Sequence, residues 1–136
     1  MNETHRRFDY DVLILGGGSA GYAAARTAAA TGLRTVVIEG GAEVGGLCLL
    51  RGCMPTKALL DAAEGLHRAQ HAEPWGIRTK DVGFDFAKVM ARKNTLIKGF
   101  VGNRREQVAS GTFKFLRTTA RAYESARSSK RKGKTR

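Results

Sequence analysis

The chain has 136 residues, 42% of them apolar, and a formal charge of +12; that allows one modest core and argues against wholesale disorder. No apolar run approaches the ~20 residues that a membrane-spanning helix needs, and the stretch from Val12 to Leu15 is too short for a signal-peptide core. The charge is a poor argument for a nucleic-acid partner, because Arg117 to Arg136 holds eight Lys or Arg against one acid, Glu124, and leaves the body only mildly basic.

Residues 1–9 are polar at the start and are read as a disordered N-terminus. Tyr10 to Leu15 predicts a buried parallel strand, being short, apolar and ended by glycine. Ser19 to Thr31 is alanine-rich and free of proline, which predicts a helix, with Gly32 placed for a left-handed cap. Arg34 to Glu39 carries Val36, Val37 and Ile38 and predicts a second buried strand. Strand, glycine turn, helix and strand within about thirty residues make a βαβ unit.

Gly40 to Gly46 reads as a loop, followed by a helical stretch that begins around Cys48 or Pro55 and runs to His71. Pro74-Trp75-Gly76 breaks it. Asp85 to about Ser110 predicts a long basic amphipathic helix with Phe86, Val89, Met90, Leu96, Ile97, Phe100, Val101 and Val108 as apolar points; Gly99 and Gly102 are its weak places. Thr112 to Leu116 predicts a strand after Gly111, and Thr119 to Tyr123 is a candidate for another. Residues 124–136 have no apolar pattern and are read as a basic disordered tail. The expected fold is α/β: an incomplete Rossmann-like parallel sheet over residues 10–123, with a long helical excursion.

Two motifs carry chemistry. In Gly16-Gly17-Gly18-Ser19-Ala20-Gly21, Gly16 permits the tight turn out of the strand, Gly18 lets the backbone approach a pyrophosphate, and Gly21 lets the helix pack close to the strand. The helix N-terminus then points at the phosphates. Glu39 closes the second strand, where an acid accepts hydrogen bonds from ribose hydroxyls and repels a 2′-phosphate. The motif alone does not separate FAD from NAD.

The second motif is Gly45-Gly46-Leu47-Cys48-Leu49-Leu50-Arg51-Gly52-Cys53-Met54-Pro55-Thr56-Lys57, which holds the only two cysteines of the chain. Their spacing is not that of a zinc site, and a metal is not predicted; His67 and His71 are four apart and able in principle to supply two ligands, but two solvated histidines are the plainer reading. Two unrelated free thiols are the bland alternative for Cys48 and Cys53. The flanking glycines favour close approach to a flat ligand, and Lys57 and a helix terminus favour thiolate. In a reduced compartment such a pair is catalytic or redox-sensing rather than structural, and the chain is read as soluble and cytoplasmic. In a cycling dithiol one thiolate attacks and the other resolves.

Taken in this order, the two motifs make Tyr10 to Leu116 resemble the class I pyridine nucleotide–disulfide oxidoreductases, with Gly45 to Lys57 similar to the family pattern GGTCxxxGCxPSK. The resemblance implies FAD at Gly16, Gly18, Ser19, Ala20, Gly21 and Glu39, with Gly45, Gly46, Cys53 and Lys57 on the flavin side. It also implies that Cys48 is the outer thiol facing substrate, Cys53 the inner thiol facing the flavin, and Lys57 a cation near the flavin's reactive nitrogen. Leu47 departs from the family threonine, and Leu50 and Arg51 depart from the usual pair between the cysteines. The implied activity is electron transfer between NAD(P)H, FAD and a Cys48–Cys53 disulfide, with a small-molecule disulfide, a protein-bound lipoyl group or a metal ion as substrate, in a homodimer away from the membrane.

Family members are more than three times as long and carry a second nucleotide domain and a dimerisation domain with a His–Glu pair. His5, His67 and His71 do not match that histidine's context. The chain is therefore expected to be a truncated N-terminal fragment, with a frameshift or stop around residues 117–125 favoured over a genuine basic tail. An inactive remnant is the main alternative for function, followed by a small basic nucleic-acid-binding protein.

Overall fold

The computed structural model describes residues 8–121, so most of the expected N-terminal segment, residues Ala122 and Tyr123 of the candidate last strand, and the basic tail lie outside the described residues. Eight elements follow in chain order: strand β1 (Val12–Leu15), helix α1 (Ser19–Ala30), β2 (Thr35–Glu39), α2 (Gly46–Leu50), α3 (Cys53–Gln70), a 3-10 turn at Glu73–Trp75, α4 (Phe86–Ala109) and β3 (Lys114–Arg117). The three strands form one parallel sheet in the order β1-β2-β3. Val12 pairs with Thr35 and Val36 with Lys114, so β2 is the middle strand.

The local signals act where they were read. Thr31 caps α1, its N–H reaching the carbonyls of Ala28 and Ala29, and Gly32 follows at φ +81°. The Asp85 side chain caps α4 by accepting from the Lys88 N–H at 3.1 Å. α4 runs unbroken through Gly99 and Gly102, because both glycines sit in open space and cost only propensity. Of the two starts expected for the helical stretch ending at His71, the one near Pro55 agrees with α3, which begins at Cys53; Cys48 lies in a separate short helix, α2, divided from it at Arg51-Gly52. Residues Thr119 to Arg121 carry no strand.

The core lies on one face of the sheet. Tyr22 and Ala25 of α1 pack against Val37 and Phe113, with Ile14, Val108 and Phe115 around them. Tyr22 meets Phe113 edge-on, with ring centroids 6.0 Å apart, and its hydroxyl donates to Gln107 Oε1 at 2.6 Å, joining α1 to α4. The Arg104 guanidinium stacks 3.6 Å from the Tyr22 ring centroid.

The middle strand buries Thr35, Val36 and Val37 in succession. The expectation that β1 is equally buried is corrected: Leu13 is 57% and Leu15 66% exposed. Side chains alternate along a strand, and α1 covers the face that carries Ile14, so Leu13 and Leu15 point the other way. At its entrance β1 is pinned by Asp11, which accepts from the Arg34 backbone N–H at 2.9 Å and from its guanidinium at 2.8 Å. Several apolar points of α4 are likewise exposed, Phe86 at 63% and Phe100 at 40%.

Candidate functional site

The carboxyl end of the sheet gathers both motifs. β1 ends at Leu15, and the Gly16 N–H donates to the Ile38 carbonyl at 2.8 Å before the chain turns with Gly16 at φ +95°. A Cβ on Gly21 would stand 1.9 Å from the Gly16 carbonyl oxygen, so α1 rests directly on the turn. No side chain caps the start of α1 at Gly18, which leaves first-turn N–H groups for an anion. Ser19 and Ala20 are exposed in that first turn.

Glu39, at the end of β2, is turned onto backbone: it accepts from the Gly17 N–H and from the Gly41 N–H, each at 2.7 Å. Those two bonds, Gly41 first and then Gly17, hold its carboxyl below the usual range, with the charge of Arg117 adding to them. Arg117 pairs with Glu39 across the sheet and donates to the Ala42 carbonyl. A carboxyl with a depressed folded value stabilises the fold above about pH 4.3, and that contribution is lost as pH falls through the depressed value. Glu39→Gln is expected to lower stability at pH 7 by about 1 kcal/mol and to flatten this acid limb. Urea unfolding of both proteins between pH 7 and pH 3 checks it.

The second motif lies against the first. A Cβ on Gly46 would stand 2.6 Å from the Gly18 Cα, and Gly46 itself has φ +67°, so the two glycine turns touch backbone to backbone. Gly45, at φ +126°, is closed over by the Leu49 side chain, whose Cδ2 a Cβ would meet at 2.6 Å. Cys48 lies within α2 and Cys53 opens α3; both are free thiols, Cys48 half-buried and Cys53 exposed. Gly52 makes the turn between them tight, since a Cβ there would meet the Leu47 carbonyl at 3.2 Å.

The thiols are not equivalent. A hydrogen bond from the Cys53 thiol holds Cys48 below the ordinary cysteine value, aided by the Cys53 backbone N–H, the Ser19 hydroxyl and the Lys57 charge. Donating that proton pushes the Cys53 thiol up. The Cys53 N–H is one of the donors without an intrahelical partner at the start of α3, and Lys57 stands one turn further along the same helix. Cys53→Ala is expected to move the inflection of Cys48 alkylation by iodoacetamide to higher pH, with Ser19→Ala giving a smaller shift in the same direction. Rates measured from pH 5 to pH 10 check both.

The structure thus sets the two glycine turns against each other at the carboxyl end of the sheet, with Ser19 interacting with Cys48. The sequence reading did not single out Gly17, Gly41 or Arg117 around Glu39, nor the link from Ser19 to Cys48. Gly17, Arg117 and the Ser19–Cys48 link join segments about twenty or more residues apart, whereas Gly41 lies two residues from Glu39 and its bond depends on how the Glu39 side chain turns back. No three His, Cys, Asp or Glu side chains converge as a metal cluster among the described residues. No helix among them is long and apolar enough to cross a membrane.

Residues 10–132 match the family model described as pyridine nucleotide-disulphide oxidoreductase. The chain is 47% identical over 89 residues to a dihydrolipoyl dehydrogenase of Bacillus subtilis (strain 168), covering 65% of this chain and 19% of the relative. It is 37% identical over 126 residues to that of Chlamydia muridarum (strain MoPn / Nigg), covering 88% of this chain and 26% of the relative. A third, from Thermus scotoductus (strain ATCC 700910 / SA-01), is 39% identical over 112 residues, covering 82% of this chain and 24% of the relative. The chain spans about a fifth to a quarter of the length of these curated relatives.

Proposed function

Because the chain belongs to the pyridine nucleotide-disulphide oxidoreductase family, we propose that it forms the FAD- and dithiol-bearing part of an enzyme passing electrons between NAD(P)H and a disulfide. The observation that carries this reading is the contact of Gly18 with Gly46, which sets an anion-accepting turn beside a polarised dithiol. The residues fit the cofactor. The uncapped start of α1 suits a pyrophosphate. Each Glu39 oxygen accepts one backbone N–H and keeps capacity for a ribose hydroxyl.

Gly16, Gly18, Ser19, Ala20 and Gly21 would hold the pyrophosphate, Glu39 the ribose, and Gly45, Gly46, Cys53 and Lys57 the flavin side. When bound, FAD supplies two-electron transfer between nicotinamide and thiol. The chain's own residues handle the disulfide. The Cys48 thiolate attacks one substrate sulfur, forming a mixed disulfide and releasing the other sulfur as thiolate. Cys53 gives up its proton to that leaving group and attacks Cys48. The Cys48–Cys53 disulfide closes, and the substrate leaves as one thiol and one thiolate, which takes its proton from water. Lys57 supplies positive charge near both sulfurs. The relatives are named dihydrolipoyl dehydrogenase, which favours a lipoyl-type disulfide over a metal ion. NAD(P)H as partner, a homodimer and a cytoplasmic setting, where thiols stay reduced, belong to the same reading, as does the placing of residues 10–123 in the N-terminal part of an FAD domain.

The test is FAD titration of the full chain, followed by quenching of flavin fluorescence. Saturable binding near one FAD per chain, weakened at least ten-fold by Glu39→Ala, is expected. A second reading, an inactive remnant that self-associates, is favoured by the exposure of Leu13 and Leu15 on the sheet. Absence of binding even after refolding with FAD would establish that reading and overturn the first.

A further inference from the structure

We propose that His67 and His71 form a two-imidazole chelate for a borderline divalent metal ion such as Ni2+, Cu2+ or Zn2+ at the C-terminal end of α3. The pair sits in the last turn and the cap of α3, four residues apart, the spacing that puts two side chains on one helix face. Their rings stand 4.2 Å apart between centroids and 35° from parallel, and both residues are exposed.

The tautomer of one ring is already set. His71 Nδ1 lies 2.9 Å from the His67 carbonyl oxygen. A carbonyl only accepts, so Nδ1 carries the proton and donates it. In the neutral ring the lone pair is then on Nε2. A backbone carbonyl taking the other ring proton is the device that fixes tautomer and orientation in metal-binding histidines. The same carbonyl also accepts the His71 backbone N–H at 3.1 Å, so the cap holds the ring in place from two points.

The helix dipole favours a cation. The negative end of the dipole of α3, an 18-residue helix, lies at this turn. The nearest basic side chain on the helix, Arg68, is engaged by Glu64 at 2.8 Å, which offsets its repulsion. With no third His, Cys, Asp or Glu converging among the described residues, water would complete the coordination sphere. Imidazole pairs prefer these metals to Mg2+ or Ca2+, with Cu2+ the tightest. At about 1.5 Å per residue along α3 the pair is on the order of 20 Å from Cys53, so the site is separate from the dithiol and does not depend on flavin binding.

The test uses the full chain without an affinity tag, with both thiols alkylated so that they do not compete. Ni2+ is titrated calorimetrically at pH 7.5. One ion per chain is expected, with at least ten-fold weaker binding in each of His67→Gln and His71→Gln, and unchanged binding in His5→Gln. Lowering the pH below the imidazole range should release the metal. The proposal is overturned by wild-type binding in both His67→Gln and His71→Gln, or by no binding at millimolar Ni2+. Both substitutions are at exposed positions, so loss of the fold does not confuse the result.

Discussion

Gly21→Ala is expected to destabilise the fold by about 3 kcal/mol or more, the upper part of the overpacking range, lowering the melting temperature by about 10 °C or more. The added Cβ would stand 1.9 Å from the Gly16 carbonyl oxygen and 3.3 Å from Ile14 Cγ2. The first obstacle is backbone in the Gly16 turn, so no rotamer change relieves it. Either α1 lifts from β1, exposing Ala25 and Tyr22, or the turn opens and loses its bond to the Ile38 carbonyl. The matched control is Gly65→Ala, in the interior of α3, where a Cβ meets nothing within 4 Å. There the same substitution is expected to stabilise by about 0.5–1 kcal/mol, because alanine restricts the unfolded chain and favours helix. Urea unfolding of the three proteins decides the matter. Equal stability of Gly21→Ala and wild type would show that α1 does not rest on the turn.

Cys48→Ser is expected to slow reduction of a small aromatic disulfide at pH 7 by at least ten-fold, whereas Cys53→Ser should stop the reaction at a mixed disulfide on Cys48. The asymmetry follows from the shared proton: donation from the Cys53 thiol holds Cys48 below the ordinary cysteine value and pushes Cys53 above it, which favours Cys48 as the thiolate. Only the thiolate attacks, and only the second thiol can release the product. Serine at 53 keeps a hydroxyl donor for Cys48, so the first step survives while resolution is lost. Mass spectrometry of the quenched reaction distinguishes the two variants. A mixed disulfide trapped on Cys53 in Cys48→Ser, formed as fast as in wild type, would reverse the assignment of attacking and resolving thiols.

Both predictions bear on what was legible beforehand. The Gly21 substitution concerns a requirement visible in the sequence, a glycine where helix and strand approach, but its severity rests on one carbonyl oxygen. The cysteine pair was visible as a dithiol, and the thought that a helix terminus and Lys57 favour thiolate needed no coordinates. The hydrogen bond that polarises the pair was not legible, because it depends on Arg51-Gly52 turning the chain between α2, which holds Cys48, and α3, which Cys53 opens.

The types and order of β1, α1, β2, α4 and β3, the glycine turn after β1 and the cap after α1 were determined by the sequence alone. These are set by local physics: apolar periodicity, the missing Cβ of glycine, and side-chain caps act within a few residues. The tertiary structure decided the rest. It placed β3 beside β2, set Gly18 against Gly46, turned Glu39 onto Gly17 and Gly41, and left Leu13 and Leu15 exposed. Burial and register depend on which distant segment arrives at a surface, and an apolar strand such as Val12–Leu15 reads the same whether one face is covered or two.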